Sequence, residues 1–308
     1  MMFSYSLQPN RRAMVAGLGY CALALLAALA ETPMVIAMGF YMPVLRDVPR
    51  KDVEVSFRFW LEELARDAKM SAAPVQFYDS LVEMKRDADT GKINFLVAPA
   101  MGLVQRFPVG DLADGMTGYK SVADDLLFVV RKDAGIRSPA GLVGKRVALL
   151  DGDELTDIFL ETLLLQASPK RDWGQLGSVI RESRGVKMVH RLFFSTADAA
   201  LINRNGYEAA LALNPQIAAR VQVLDEYSFK CRSPSIGLFT ARTSPLGREA
   251  FLKAALSANE TARGRQVLQI YQTNMVERSW VQDLVPFRAL LATHQTLKAA
   301  AALKASRQ

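Results

Sequence analysis

Cysteine and histidine are scarce in this sequence, which contains two of each. Cys21 lies in an apolar N-terminal segment, so the body of the chain keeps only Cys231. One cysteine forms no internal disulfide and no cysteine-rich zinc site. His190 and His294 fall in different predicted elements, with no matching set of ligands nearby. The sequence therefore predicts neither a metal site nor a bound cofactor.

The short motifs of common catalytic sites are also missing. The sequence contains no G-x-S-x-G elbow, no P-loop, no G-x-G-x-x-G and no H-E-x-x-H. The acidic stretch from Asp151 to Asp157 does not fit a calcium-binding loop, because its glycine comes second rather than sixth. We therefore expect no catalytic residues and no enzymatic activity.

Charge of one sign is not concentrated in any part of the chain. The formal net charge is +7, but the basic residues are scattered and mixed with acidic ones. A nucleic-acid-binding surface would show a basic stripe alternating with aromatic residues. We expect a solvated basic surface and no nucleic-acid partner.

The N-terminal segment is typical of an exported protein. Arg11 and Arg12 precede an uncharged run over 13–30 that is rich in Ala and Leu, and small residues stand just before Glu31. We predict a signal peptide over 1–30 and a periplasmic location. The uncharged run is 18 residues long, close to the lower limit for a spanning helix, so an uncleaved N-terminal anchor stays open.

The body of the chain begins with alternating strands and helices. Short apolar runs predict strands over 34–40, 74–78 and 93–98, and the apolar spacing over 53–68 predicts an amphipathic helix. A second helix follows the second strand. This β-α-β-α-β order is typical of a doubly wound, mostly parallel α/β sheet, whose ligands bind beyond the carboxyl ends of the strands.

A second run of the same kind begins at Lys145, with a strand over 145–150 and an amphipathic helix after it. The chain is long enough for two lobes of roughly 100–150 residues each. We predict lobe 1 over 31–128 and 237–308, and lobe 2 over 129–236, with crossing strands near 126–130 and 236–239. Within lobe 2 we predict a strand over 189–194, a helix that begins at Ser195 and Thr196 and ends at Gly206, and strands over 209–213 and 220–224.

Four stretches of the body share their pattern with one protein family. Residues 126–136 and 142–147 are similar to a strand, a VRKDSGI turn and an LKGKRVA segment leading into a second lobe. Residues 91–100 resemble a G-x-(I/V)-D-x-x-x-x-G-P strand, and 196–206 resemble the helix before a V-x-x-G-x-x-D-A element. The family is that of phosphate, phosphite and phosphonate ABC-transporter substrate-binding proteins. The resemblance spans about residues 33–290.

The resemblance implies a two-lobed type II periplasmic-binding fold, akin to transferrin lobes, in which each lobe is a doubly wound, mostly parallel sheet flanked by helices. It implies an exported, monomeric solute-binding protein. This protein would capture a phosphonate- or phosphate-like oxyanion by hinge closure and present it to an inner-membrane ABC permease. Two other functions stay open. One is a sensory module presented to an envelope histidine kinase, and the other is an enzyme of the kind that builds a thiamine pyrimidine.

The candidate ligand-binding residues lie where predicted strands give way to helices and face the cleft between the lobes. N-capping is the favoured alternative for Ser80, Ser195 and Thr196, and packing in a loop explains Tyr41 equally well. The candidates are Tyr41, Tyr78, Ser80, Pro99, Met101, Thr156, Ser195 and Thr196.

Overall fold

A computed structural model describes most of the chain after the N-terminal segment, and these residues belong to one compact unit, Val35–Gln308. The predicted signal peptide and Cys231 lie outside the described residues. Within the described part, no helix is both long and apolar enough to cross a bilayer. The described ranges are 35–45, 48–119, 125–168, 173–229, 235–270 and 273–306.

The described residues form an α/β structure whose strands and helices alternate through much of the chain. The strands are β1 (Met38–Tyr41), β2 (Val75–Tyr78), β3 (Phe95–Ala98), β4 (Leu112–Tyr119), β5 (Leu126–Arg131), β6 (Arg146–Leu150), β7 (Ser178–Glu182), β8 (Ala199–Asn203), β9 (Val221–Tyr227), β10 (Ile236–Thr240) and β11 (Met275–Ser279). The helices are α1 (Arg50–Asp67), α2 (Leu81–Asp89), α3 (Ala100–Arg106), α4 (Glu154–Ala167), α5 (Gly185–Phe193), α6 (Arg204–Leu213), α7 (Ile217–Arg220), α8 (Pro245–Ser257), α9 (Ala262–Ile270) and α10 (Val285–Ala305).

The strands form two sheets, one for each lobe. The first sheet has the order β11-β4-β10-β3-β1-β2, and the second has the order β7-β6-β8-β5-β9. In the first sheet β1 runs parallel to β2 and β3, and in the second β6 runs parallel to β7 and β8. The remaining pairs are antiparallel. The predicted two-lobed α/β fold is confirmed, and both sheets are mixed.

The chain passes from the first sheet to the second between Tyr119 and Leu126, and it returns between Tyr227 and Ile236. The boundary that we predict after residue 128 falls inside β5. All of β5 pairs with β8 and β9 in the second sheet. The first crossing therefore comes before Leu126, and the strands named as crossing strands each lie within one sheet.

The centre of the second sheet is covered on both faces. On β5, Leu126, Phe128 and Val130 pack into one apolar cluster, while Leu127 and Val129 pack into another on the opposite face. Successive residues of a strand point to opposite faces, so a strand with helices on both sides needs an unbroken apolar run. This burial explains why residues 126–130 lack the alternation of a half-exposed strand.

The strand that we predict over 189–194 is wrong, because these residues lie mainly in helix α5. Met188, Val189 and Leu192 are the buried residues of α5, and this spacing of one and four residues is that of a single helix face. The predicted helix start at Ser195 is wrong for the same reason, since the next element is strand β8. Residues 209–213 belong to helix α6, which contains Gly206 instead of ending there.

Candidate functional site

A cavity of about 250 Å³ lies between the two lobes, at the carboxyl ends of the parallel strands. This edge is where open α/β sheets bind ligands. Residues from both lobes contribute to its lining. From the first lobe these are Tyr41, Pro43, Val44, Leu81, Pro99, Ala100, Met101 and Phe287, and from the second lobe Leu126, Leu150, Gly152, Asp153, Glu154, Leu155, Ser183, Arg184, Gly185 and Asn203; Phe229 lies in the returning connection.

Among the described residues, five helices begin at or beside this cavity: α2, α3 and α10 from the first lobe, and α4 and α5 from the second. Residues of the first turn or cap of each one line the cavity. The first N–H groups of a helix have no partner within the helix, and the helix dipole gives them a partial positive charge. Helix starts from both lobes therefore face the same small space, which favours a ligand with negative charge.

Three of the predicted site residues line the cavity. Tyr41 ends β1, and Pro99 and Met101 stand at the start of α3. Met101 is buried in the core of the first lobe as well, whereas Tyr41 is half-buried. The structure thus brings together the first and third of the predicted strand-to-helix loops.

Tyr78, Ser80 and Thr156 lie beside lining residues but are not part of the lining. The Tyr78 hydroxyl donates to Asp87 Oδ2 at 2.9 Å. Burial, aided by this bond to Asp87, raises the pKa of Tyr78 well above its ordinary value. Ser80 Oγ accepts from the Glu83 amide at 3.4 Å and caps α2.

The buried Thr156 hydroxyl likewise bonds within the first turn of its own helix, where it donates to the Asp153 carbonyl oxygen at 3.1 Å. Ser195 and Thr196 lie at the far end of the second sheet. The Ser195 carbonyl accepts from Arg146 Nη2 at 2.9 Å, and Arg146 begins β6, whereas the cavity is at the end of β6. Thr196 Oγ1 donates to the Arg191 carbonyl at 3.1 Å. The length of β6 therefore separates Ser195 and Thr196 from the cavity.

The sequence interpretation misses the polar residues that follow β7 and β8. Ser183, Arg184 and Gly185 connect β7 to α5, and Asn203 ends β8. Arg184 is the residue just before α5 and brings a cation to the lining. The local signal was the short run Ser178–Glu182 ahead of a glycine, which reads as a strand ending at a helix start.

The acidic loop of the second lobe also reaches the cavity. The chain turns at Gly152 with a φ of +63°, which suits glycine. Asp153 then caps α4, since its carboxylate accepts from the Leu155 amide at 3.1 Å. Burial raises the pKa of Asp153 to about 6. The carboxyl group is therefore protonated in part of the population near pH 6 and can then donate a hydrogen bond.

Glu154, the next residue, is paired across the cleft. The Arg106 guanidinium donates twice to its carboxylate, Nη2 to Oε1 at 2.5 Å and Nη1 to Oε2 at 2.9 Å. Gln105 Nε2 adds a third hydrogen bond at 2.9 Å. The negative charge of Glu154 is thus paired with side chains of the first lobe, and Arg184 of the second lobe also lines the cavity.

Replacing Asp153 with asparagine is expected to stabilise the protein at alkaline pH. The pKa of Asp153 rises from an ordinary 3.8 to about 6 on folding, so the native state binds its proton more tightly than the unfolded state. The contribution of protonated Asp153 to the free energy of unfolding is fully present below pH 3.8 and is lost as pH rises through about 6. Asparagine caps a helix equally well without a charge. We expect a Tm higher by about 5 °C at pH 8, or about 2 kcal/mol, in thermal unfolding.

The gain from D153N should shrink as the pH of the melt is lowered toward 4, where both forms are neutral at this position. Asp151→Asn is the matched control, because Asp151 is an exposed acid two residues earlier. An equal rise in Tm at pH 4 and pH 8, or an equal rise for D151N, would contradict the assignment.

Comparisons with known proteins give one matching family model and several solved structures of similar fold. A family model described as "ABC transporter, phosphonate, periplasmic substrate-binding protein" matches residues 61–282. Among solved structures, XAC2383 of Xanthomonas citri bound to ATP is 12% identical, with a TM-score of 0.65 over 86% of this chain and 98% of that chain. No curated protein sequence matches the chain.

Two structures of phosphonate-binding proteins are similar to this chain as well. A binding-protein component of an ABC phosphonate transporter from Pseudomonas aeruginosa is 14% identical, with a TM-score of 0.59 over 88% of this chain and 89% of that chain. PhnD1 of Prochlorococcus marinus in complex with methylphosphonate is 13% identical, with a TM-score of 0.59 over 86% and 99%. At such identities the likeness is one of fold.

Proposed function

Because the chain belongs to the family of periplasmic substrate-binding proteins of ABC phosphonate transporters, we propose that it is exported and captures a small phosphonate- or phosphate-like oxyanion between its lobes. The closed, loaded form is then what an inner-membrane ABC permease recognises. The activity is one of binding and delivery, in which no bond of the ligand is made or broken.

The observation that carries this proposal is the composition of the cavity wall. Residues at helix starts of both lobes, Arg184 among them, line one space of about 250 Å³. This volume is below the roughly 300–1,000 Å³ of pockets for drug-sized ligands. An anion of a few heavy atoms would receive hydrogen bonds from backbone amides and a paired cation from Arg184.

The two acids at the start of α4 are compatible with an anionic ligand. Glu154 already accepts hydrogen bonds from Arg106 and Gln105, so its charge is met on the protein. Asp153, with its pKa raised to about 6 by burial, carries a proton in part of the population at mildly acidic pH. A protonated carboxyl can donate to an oxyanion, whereas an ionised one would repel it. Oxyanion affinity is therefore expected to rise as pH falls through about 6.

The lobes are joined by two connections, between Tyr119 and Leu126 and between Tyr227 and Ile236. Closure of one lobe on the other shortens the distance between the two halves of the cavity wall. A ligand that touches both halves binds only the closed form strongly, so it shifts the population toward closure. Binding of the ligand thus favours the closed conformation, which a membrane partner can recognise.

A thermal-unfolding screen followed by calorimetry tests the proposal. The probes are inorganic phosphate, phosphite, methylphosphonate and ethanesulfonate, with glycine and ethylamine as non-matching ligands. A ligand at about 100 times its Kd stabilises the native state by about 2.7 kcal/mol, which raises the Tm by several degrees. We expect this rise with at least one oxyanion. No response to any oxyanion, together with a response to the amine, would reject the proposed ligand class.

A further inference from the structure

Helix α4 of the second lobe presents a stripe of four residues to the first lobe. We call Glu154, Leu155, Ile158 and Glu161 the α4 stripe. Their spacing of one, four and seven residues places them on one side of an α-helix. Each of the four contacts either the first lobe or helix α10, which begins in the first lobe. The stripe is therefore a contact surface between the lobes.

The start of the stripe is held by charge. Arg106 at the end of α3 forms a two-bonded ion pair with Glu154, and Gln105 adds a third hydrogen bond to the same carboxylate. The Arg106 and Glu154 side chains retain only 22% and 32% of their exposure. A paired fork of this kind is stronger and more directional than a single exposed ion pair.

The middle of the stripe is apolar. Leu155 and Ile158 pack against the core cluster of the first lobe, which contains Leu81, Met101 and Phe287 among its buried residues. Separating the lobes along this surface would expose these two side chains to water, and this exposure opposes opening.

The end of the stripe is held by α10. Glu161 accepts from His294 Nε2 at 2.6 Å and pairs with Lys298 Nζ at 3.0 Å. Helix α10 begins in the first lobe, because Leu284 just before it and Phe287 in its first turn belong to the first-lobe core. A continuous helix of 21 residues therefore carries His294 and Lys298 from the first lobe onto α4.

We propose that the α4 stripe is a latch that holds the lobes closed through contacts between protein groups alone. The contacts at Glu154 and Glu161 involve only side chains of the chain itself, so they require closure of the lobes and not the presence of a ligand. They raise the population of the closed form in the ligand-free chain, and a bound ligand raises it further. The latch then slows the release of the ligand. The inference depends on the proposed function only for the identity of the ligand that is released.

Small-angle scattering of the chain purified from the cell envelope tests the latch. Bound ligand is first removed by unfolding in denaturant and refolding by dialysis. We expect the ligand-free native chain to be more compact than variants that lack the latch contacts. The double variant E154Q/E161Q should have a larger radius of gyration. With methylphosphonate as the probe, its release in stopped-flow measurements should be about tenfold faster than from the native chain.

D157N is the matched control, because Asp157 lies on the same helix but pairs with Arg181 inside the second lobe at 2.5 Å. It removes an ion pair of α4 without touching the first lobe, so its radius of gyration and release rate should equal the native values. R106Q breaks the Glu154 contact from the other lobe. It should give the same shift as E154Q, with no further change when the two are combined.

Two results would overturn the latch: a native chain that already scatters as an open form and does not change in the variants, or a shift for D157N as large as that for E154Q. The single variants E154Q and E161Q give the readout if the double variant fails to fold. The scattering measurement uses no ligand. A missing response to oxyanions with an intact scattering shift would therefore count against the proposed ligand and not against the latch.

Discussion

Replacing Arg184 with alanine is expected to weaken the binding of phosphate or methylphosphonate about 100-fold. Arg184 precedes α5 and lines the cavity between the lobes. The substitution removes a cation from the second-lobe wall. Losing one partner of a desolvated charge pair costs about 2–5 kcal/mol, most of it in the dissociation rate. Isothermal titration calorimetry on the native and variant chains measures the change directly.

Arg137→Ala is the matched control for this experiment. Arg137 is exposed and follows β5 at the end of the second sheet opposite the cavity, so its removal changes the net charge equally without touching the wall. R184K keeps the positive charge but loses the planar guanidinium, so we expect its affinity for the anion to lie between those of the native chain and R184A. An affinity of R184A within about threefold of that of R137A would mean that Arg184 is not a ligand contact.

The first half of the fold could be predicted because its patterns are unambiguous. The apolar runs that end at Tyr41, Tyr78 and Ala98 are short and separated by polar helical stretches, and they form β1, β2 and β3. The amphipathic spacing around Trp60 and Leu61 gives the buried face of α1. Where strand and helix periods differ clearly, the sequence suffices to assign the element.

The second lobe was harder because short apolar runs fit both periods. Residues 189–194 contain valine and two phenylalanines, which favour a strand by composition, yet Met188, Val189 and Leu192 form one helix face. Residues 209–213 are mostly alanine and leucine, which carry little periodic signal. Strands β4, β7, β8 and β11 were not predicted. Strands β7 and β11 are partly exposed and charged, β4 contains two glycines, and β8 falls inside the helix predicted from Ser195 to Gly206.

The sequence predicted which loops lie at the candidate site, but it did not predict which side chains line it. The rule that ligands bind beyond strand ends identified Tyr41, Pro99 and Met101, which line the cavity. Ser195 lies away from the cavity, because the element before it is a helix and not the predicted strand. Arg184 lines the cavity but was not among the candidates, because β7 was not predicted. The neutralisation of Glu154 by Arg106 joins residues 48 positions apart in two lobes, and local sequence patterns hold no information about such a contact.

Replacing Gly237 with alanine is expected to destabilise the first lobe strongly. Gly237 lies in β10 between β3 and β4, and its carbonyl accepts from the buried Ser279 hydroxyl at 2.6 Å. A Cβ at this position would collide with the backbone oxygen of Met116 and lie 2.7 Å from Phe95 Cζ. To remove this clash, the hydrogen-bonded backbones of β10 and β4 must move apart, which costs more free energy than moving a side chain. We expect a loss of about 3 kcal/mol and a Tm lower by about 5–10 °C in thermal unfolding.

Gly110→Ala is the control for this substitution, because a Cβ at Gly110 meets no atom within 4 Å. Restricting the unfolded chain at such a position is neutral or slightly stabilising, so the Tm of G110A should equal or exceed that of the native chain. The contrast separates the loss of a glycine as such from the close approach of β10 and β4. If G237A melted within about 1 °C of G110A, the two strands could not lie as close as Gly115 and Gly237 place them.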